Sequence, residues 1–375
     1  MGNLRDRLKR IQTIQQAHPA KQSQPAKQAP VSAGADISAF LTCGWSSAGF
    51  LTLKRETDCG PFTLPHNMPV SACTVMPGIN SGTAYESLLF FDLETTGLST
   101  GAGTIAFLAA FGRFIHDGAP NGVSGKYVLR ITQYLLLDFP GEYDFIKALL
   151  GEITDSSVIV SYNGKNFDSP ILNARCLMNG IPPHEYCHAD LLYPARRLWK
   201  RLLPDCRQGT VETGILGIDR EGDVPGSMAP EIWFSFLKNK DPQPLMGICE
   251  HNRRDIAGLA SIFCAMAQIA EDPAAAAQKI KFDLAAFLPR ARLLFKEGKY
   301  NEGRDLLFTA AYYSASAIAR ALALRMLAID SEWRQKDKAL ALDLASRALQ
   351  ILPPDSPLRK DFEHREERLQ EKKEK

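Results

Sequence analysis

The order of apolar and polar positions divides the chain into five stretches. Leu4, Leu8, Ile11 and Ile14 recur at helical spacing within residues 4–16, with basic side chains between them. Residues 17–35 hold almost no bulky apolar side chain and read as a flexible linker. Residues 37–84 are irregular, with GFLTLKRE and GPFTL as short strands bounded by Gly and Pro. From 85 to 270 the pattern is α/β. Apolar runs at 88–93 and 104–115 predict two strands, and 126–137 alternates as a third. A helix over 142–153 follows Pro140-Gly141, and 157–162 (SVIVSY) is a short buried strand. A helix over 169–179 closes at Gly180 and Pro182. Three strands, a helix and another strand predict a mixed β-sheet flanked by helices. The last stretch, 283–375, alternates helix and turn, and beyond Pro357 its acids and bases alternate as on a solvated helix.

Composition narrows the function classes. The chain has 375 residues, 45% hydrophobic and 23% charged, enough for two or three folded domains and incompatible with wholesale disorder. Lys+Arg is 44 against Asp+Glu 42, a net charge of +2 that excludes a polycationic coat protein but not a nucleic-acid enzyme with local charge. The basic N-terminal arm reads either as a solvated tail or as a tether. None of the 8 Cys forms a C-x-x-C pair, which argues against a zinc knuckle or thioredoxin-type site. The opening residues lack the apolar core of a signal peptide, and the most apolar run, 105–111, is too short to span a bilayer. The expectation is a soluble, cytoplasmic protein with reduced thiols and no membrane contact.

Three segments carry candidate chemistry. In FDLETTGL, Asp92 and Glu94 end an apolar run, two residues apart and on one strand face. Two such carboxylates repel unless a cation lies between them, and hard oxygen donors suit Mg²⁺ or Mn²⁺; an exposed strand-end pair is the bland alternative. In SYNGKNFDSP, Asp168 follows the 157–162 strand, and Asn163 and Asn166 favour turns. Asp168 is either a second ligand carboxylate or the N-cap of the helix that follows. In HNRRDI, His251 and Asp255 share one face of a helix whose apolar side is Ile256, Leu259, Ile262 and Phe263. An imidazole titrating near neutrality suits a general base; the alternative is a surface His–Asp contact. Arg196, Arg197, Lys200 and Arg201 form a basic helix face around Trp199, with Leu191, Leu198 and Leu202 on the buried side. That face either holds a phosphate backbone or is simply solvated. Asp190 matches no motif and reads as structural.

Taken in order, these segments resemble the DEDD 3′–5′ exonucleases, which have a ribonuclease-H-like fold. DLETTGL looks like their first motif. YNGKNFDSPIL is similar to the second, especially as it occurs in the proofreading domains of family B DNA polymerases, and HNRRDI matches the third. DLLYPARRLW, LGIDREGDVPGSMAPEIWFSFL and EHNRRDIAGL further resemble a bacterial family of ribonuclease-H-like exonucleases with a tetratricopeptide-like tail. Gly298-Lys299-Tyr300 resembles the turn of such a repeat, and KALALDLASRALQILP its second helix and closing proline. The implied division is a basic helix and linker at 1–36, an N-terminal extension with short strands at 37–84, the exonuclease domain at 85–270, and a repeat-like tail at 283–375.

The resemblance implies a metal-dependent 3′–5′ exonuclease acting on single-stranded DNA or RNA. Asp92, Glu94, Asp168 and Asp255 would hold two Mg²⁺ or Mn²⁺ ions, and His251 would activate the attacking water. Thr96, Gly97, Leu98 and Asn163 would approach the terminal nucleotide, with the basic helix beside them. The family's His-bearing members usually place that His one residue further from the last Asp; the spacing here is the one its Tyr-bearing members use. The rival expectation is a scaffold, an inactive or weakly active domain that docks partners through its helical tail.

Overall fold

The computed structural model describes residues 37–69, 72–97, 103–116, 126–314 and 316–374. The readings for 4–16, 17–35 and Leu98 lie outside them. Seven strands form one mixed sheet: β1 (Trp45–Gly49), β2 (Thr52–Thr63), β3 (Leu88–Thr95), β4 (Ala106–His116), β5 (Lys126–Leu136), β6 (Val158–Ser161) and β7 (Cys187–Asp190). Their spatial order is β1-β2-β5-β4-β3-β6-β7. Pairing is antiparallel from β1 as far as β3 and parallel from β3 through β6 to β7. The parallel steps need crossovers, which helices α1 (Glu142–Glu152) and α2 (Asp168–Met178) accompany. Leu88 to Phe91 of β3 and Ala106 to Phe111 of β4 are buried on both faces, which is why they read as continuous apolar runs rather than alternations. The expected α/β class, a ribonuclease-H-like mixed sheet flanked by helices with a helical C-terminal region, is the architecture observed.

Residues 37–84 are more regular than their pattern suggests. The two short strands expected there are parts of a single 12-residue strand, β2, paired along the edge of β5. The Gly60-Pro61 step that suggested a break is a bulge between Cys59 and Phe62. A bulge spares Pro61 from donating to the ladder, so the strand continues past it. Strand β7 carried too few apolar residues to be foreseen.

One face of the sheet is covered by α5 (Gln243–Glu271), a 29-residue helix introduced by α4 (Ala229–Asn239). It lies close to β4 because the sheet offers small residues beneath it. A Cβ on Gly112 would meet Ile256 Cγ2 at 2.6 Å. Phe90 and Phe114 meet Phe263 of α5 with ring centroids 5.6 and 6.3 Å apart. This apolar core runs without a break into the C-terminal helices, reaching Leu307, Ala345 and Phe362.

Between β7 and α4 lies α3 (Leu192–Trp199), the expected basic helix. Leu198 and Trp199 are buried, and the Trp199 indole donates to the Lys281 carbonyl at 3.0 Å. Leu202 is not on the buried side as expected; the helix ends at Trp199, the periodicity lapses, and Leu202 is 44% exposed.

The C-terminal region consists of α6 (Leu288–Lys296), α7 (Tyr300–Tyr313), α8 (Ala317–Asp330), α9 (Lys338–Ile351) and α10 (Arg359–Glu374), each packed on the next. Gly298 takes the left-handed conformation, φ +78°, in the turn between α6 and α7. The final helix is not merely solvated. Phe362 and Leu369, seven residues apart, are buried, and Arg365 and Arg368 pair with the buried Glu332. The alternating charges mark its outer face, and two apolar positions suffice to dock it.

Candidate active site

Strand β3 supplies the first two acids. Asp92 opposes Ala110 and Glu94 opposes Leu108 on β4. They share one face, as residues two apart in a strand must. Both lie within the strand rather than beyond its end. Asp168 arrives from the parallel neighbour β6, through the turn of residues 162–167. It is the first residue of α2, and Phe167, not Asp168, occupies the N-cap position, with no side-chain cap. The capping alternative for Asp168 is therefore not what the structure shows.

The turn that delivers Asp168 is held by Asp190. Its carboxylate accepts from the backbone N–H groups of Asn163 (2.8 Å), Lys165 (3.1 Å) and Leu192 (3.0 Å). Asn163 sits in the left-handed region at φ +69°, and a Cβ on Gly164 would meet Ser161 at 2.6 Å and Asp168 Oδ2 at 2.8 Å. The turn thus needs a residue tolerant of positive φ followed by a glycine, the Asn-Gly pair that the sequence provides.

Helix α5 brings His251 and Asp255 across the sheet face. One ring nitrogen of His251 and one oxygen each of Glu94 and Asp255 lie within 4.8 Å of one another. His251 Nε2 is 3.2 Å from Asp255 Oδ2 and 3.8 Å from Glu94 Oε1. Its Nδ1 is 2.9 Å from Asp223 Oδ2. A hydrogen bond there sets Nδ1 as the donor and leaves Nε2 turned toward the acids. A Cβ on Gly226 would meet His251 Nε2 at 2.9 Å and Glu94 Oε1 at 3.7 Å, so the residue 226 turn lines the same space.

The electrostatics follow from crowding acids out of water. Burial, then the charges of Asp255, Asp168 and Glu94, hold the Asp92 carboxyl well above the usual carboxylate range. Burial, then the charges of Asp255, Asp168 and Asp223, do this to Glu94. Burial pushes Asp168 up to about 7, against the pull of backbone N–H groups. Carboxyls in this state seek a cation. Arg220 supplies part of the positive charge, reaching Asp255 at 2.5 Å, Glu212 at 2.5 Å and Asp223 at 3.2 Å. The donor set, four carboxylates and one imidazole, fits hard divalent ions such as Mg²⁺ or Mn²⁺.

The expected substrate contacts divide. Thr96 closes the neck of a loop, donating its N–H to Ile105 O at 2.9 Å and accepting from Ile105 N–H at its hydroxyl at 3.0 Å. Gly97 follows at the end of β3, its carbonyl accepting from the Thr95 hydroxyl. Arg197 donates to the Val75 carbonyl at 3.0 Å, and Arg201 pairs with Asp283 at 3.1 Å. Those two tie α3 and the turn after it to neighbouring segments; Lys200 and Arg201 lie past the end of the helix, so the expected basic face is not wholly helical. Arg196 and Lys200 are exposed, and Arg196 is close enough to influence Tyr162 and Cys206 electrostatically. Sequence reasoning missed Asp223, Arg220 and Glu212, which surround His251 and Asp255. Asp223 and Arg220 stand in the run DREGD, inside a segment that resembles the bacterial family but has no periodicity, and Glu212 lies outside that run.

Residues 89–267 match the RNase_H superfamily and form a domain of that kind. The protein YprB of Bacillus subtilis (strain 168), itself uncharacterized, is 37% identical over 185 residues, 48% of this chain and 42% of the relative. The chain thus matches less than half the length of that curated relative. Among solved structures, the zinc-bound E. coli ExoI–ssDNA complex is similar over 46% of this chain and 45% of that one, with 18% identity and a TM-score of 0.27. The family B DNA polymerase of the archaeon Pyrobaculum calidifontis is similar over 76% and 45%, with 11% identity and a TM-score of 0.36. Among the described residues no helix is long and apolar enough to cross a membrane.

Proposed function

We propose that this protein is a metal-dependent 3′–5′ exonuclease of the DEDD class, hydrolysing phosphodiester bonds of single-stranded DNA or RNA. The observation that carries the reading is the convergence of Asp92 and Glu94 from β3, Asp168 from the start of α2 and Asp255 from α5, the other three all within electrostatic reach of Asp92. Four acids gathered out of water are costly unless cations neutralise them. Two Mg²⁺ or Mn²⁺ ions held by these four residues would stabilise charge on the attacking and leaving oxygens.

The remaining work falls to the chain's own side chains. His251 Nε2 faces the acids while Nδ1 is engaged by Asp223, so Nε2 is the atom that takes a proton from the attacking water. Asn163, Thr96 and Gly97 meet the terminal nucleotide. Arg196 and Lys200 supply positive charge for the strand, and Arg197 on α3 and Arg201 in the turn after it anchor this segment. The C-terminal helices form a repeat-like, tetratricopeptide-type surface for a protein partner. Phe308 and Tyr312, one turn apart on α7, are 50% and 82% exposed there. A reducing, cytoplasmic setting is part of the proposal, and all eight cysteines are free thiols.

The test is digestion of end-labelled single-stranded DNA and RNA of equal sequence in Mn²⁺, with Asp92→Ala as control. Cleavage by the wild type that is lost in the variant supports the nuclease. Strand binding without cleavage, unchanged in Asp92→Ala, favours the scaffold.

A further inference from the structure

Asp92 is the last member of a row that starts at the far edge of the sheet. Trp45, Arg55, Gln133, Ala110 and Asp92 are successive register partners on β1, β2, β5, β4 and β3. Directly opposed residues project to one face, so all five side chains lie beneath α5 or beside it. The Arg55 guanidinium lies 5.0 Å from the centre of the Trp45 ring. It donates from Nε and Nη2 to Gln133 Oε1, at 3.2 and 2.6 Å. With Oε1 engaged, Gln133 turns its NH₂ toward α5. Nε2 donates to the Cys249 carbonyl at 2.7 Å and to Asn252 Oδ1 at 3.0 Å. Ala110 is too short to fill the next place in the row, and Asn252 descends into it. Its Nδ2 donates to Asp92 Oδ2 at 2.7 Å. Gln133 and Asn252 are 1% and 0% exposed, so water does not compete for these bonds.

We propose that Arg55, Gln133 and Asn252 form a polarised relay that positions Asp92 for divalent-ion binding. The cationic end fixes the direction of both amides, so Asn252 always presents a donor to Asp92. The relay holds the carboxylate by Oδ2 and leaves Oδ1 as the atom offered to the cation. None of the three is a ligand; each acts through the next, in the manner of outer-shell partners at metal sites. The inference rests on the reading of Asp92 as a ligand, and it gives the β2 strand, which carries no site residue, a part in the site.

A reversal of polarity separates this role from packing. Gln133→Glu keeps the shape and the tie to Arg55 but has no donor to give. Asn252 then turns Nδ2 toward position 133 and Oδ1 toward Asp92, acceptor against acceptor. Gln133→Leu imposes no direction, and Asn252 remains able to donate to Asp92. Mn²⁺ binding to the full chain, followed by the electron paramagnetic resonance signal of the free ion, reads the difference. Gln133→Glu, which reverses the bias, weakens the tightest site by about tenfold or more, while Gln133→Leu, which only removes it, weakens the site by clearly less. Asn252→Leu, which removes the donor outright, weakens Mn²⁺ binding as Gln133→Glu does and serves if the latter does not fold. Equal affinity in wild type and every folded relay variant, with Asp92→Ala deficient, overturns the relay and leaves the ligand reading of Asp92 standing. Gln133→Leu as weak as Gln133→Glu also overturns it. Absence of Mn²⁺ binding in the wild type overturns both.

Discussion

Asp223 holds the His251 imidazole from behind, with Oδ2 2.9 Å from Nδ1, while Nε2 on the other side of the ring lies 3.2 Å from Asp255. The pair explains how a histidine one residue nearer to the last motif acid than is usual for the His-bearing exonucleases still faces the acids. The anchor comes from the 219–225 segment rather than from the helix itself. Asp223→Ala removes the acceptor and frees the ring. The nuclease rate should fall about 10- to 100-fold, with Asp223→Asn milder because its amide oxygen still accepts. Single-turnover digestion measures it; an unchanged rate in Asp223→Ala would mean the imidazole needs no such support.

Gly226→Ala should act at the same ring from the opposite side. Gly226 is not in the left-handed region, so the backbone accepts alanine. The new Cβ meets His251 Nε2 at 2.9 Å, and one of the two must shift. The expected result is a nuclease rate at least about tenfold lower with little change in the melting temperature. A variant as active as wild type would place the reacting atoms elsewhere.

Asp190 should matter although it faces no substrate. It accepts three backbone N–H groups around the turn that delivers Asp168. Asp190→Ala leaves those donors unmatched, at a cost of about 2–4 kcal/mol in stability. Urea denaturation would show the loss, and the nuclease rate should fall with it because Asp168 loses its support. An effect below about 0.5 kcal/mol would contradict the assignment.

The acids predict how the metal-free fold responds to pH. Burial raises Asp168 from 3.8 to about 7, so the folded state binds this proton more tightly than the unfolded chain does. The contribution is fully present below about pH 4 and is lost as pH rises toward 7. Asp168→Asn carries no titrating group there. In EDTA, its stability relative to wild type should therefore increase between pH 4 and 7, by up to about 4 kcal/mol. Urea midpoints at several pH values test this, and a difference independent of pH would contradict it.

Much of the sheet and the positions of the four clustered acids could be read from the chain because each rests on a local pattern. The apolar runs before Asp92 and Asp168 mark buried strands, and the i, i+4 pair of His251 and Asp255 marks one helix face. What escaped notice depends on neighbours distant in sequence. Gln133 becomes informative only once β5 is known to lie between Arg55 on one side and Ala110 on the other. Asn252 stands inside the third motif, yet an uncharged amide gives no sign of a carboxylate partner 160 positions away. Asp223 and Arg220 lie in a segment with neither helical nor strand period, where only tertiary contacts assign a role. Leu202 misled because a helical spacing was extended past the residue where the helix stops.

In the proposed function, Asp92, Glu94, Asp168 and Asp255 together make a phosphodiesterase site that works inward from a 3′ end. The most direct measurement follows a 5′-labelled single strand in Mn²⁺ with time, resolved by length, for the wild type and for each of the four acids changed to Ala. The wild type should give a ladder that shortens stepwise from the 3′ end, and all four variants should leave the strand intact. Cleavage that persists in the variants, or a wild type that leaves the strand whole at every Mn²⁺ concentration, would contradict it.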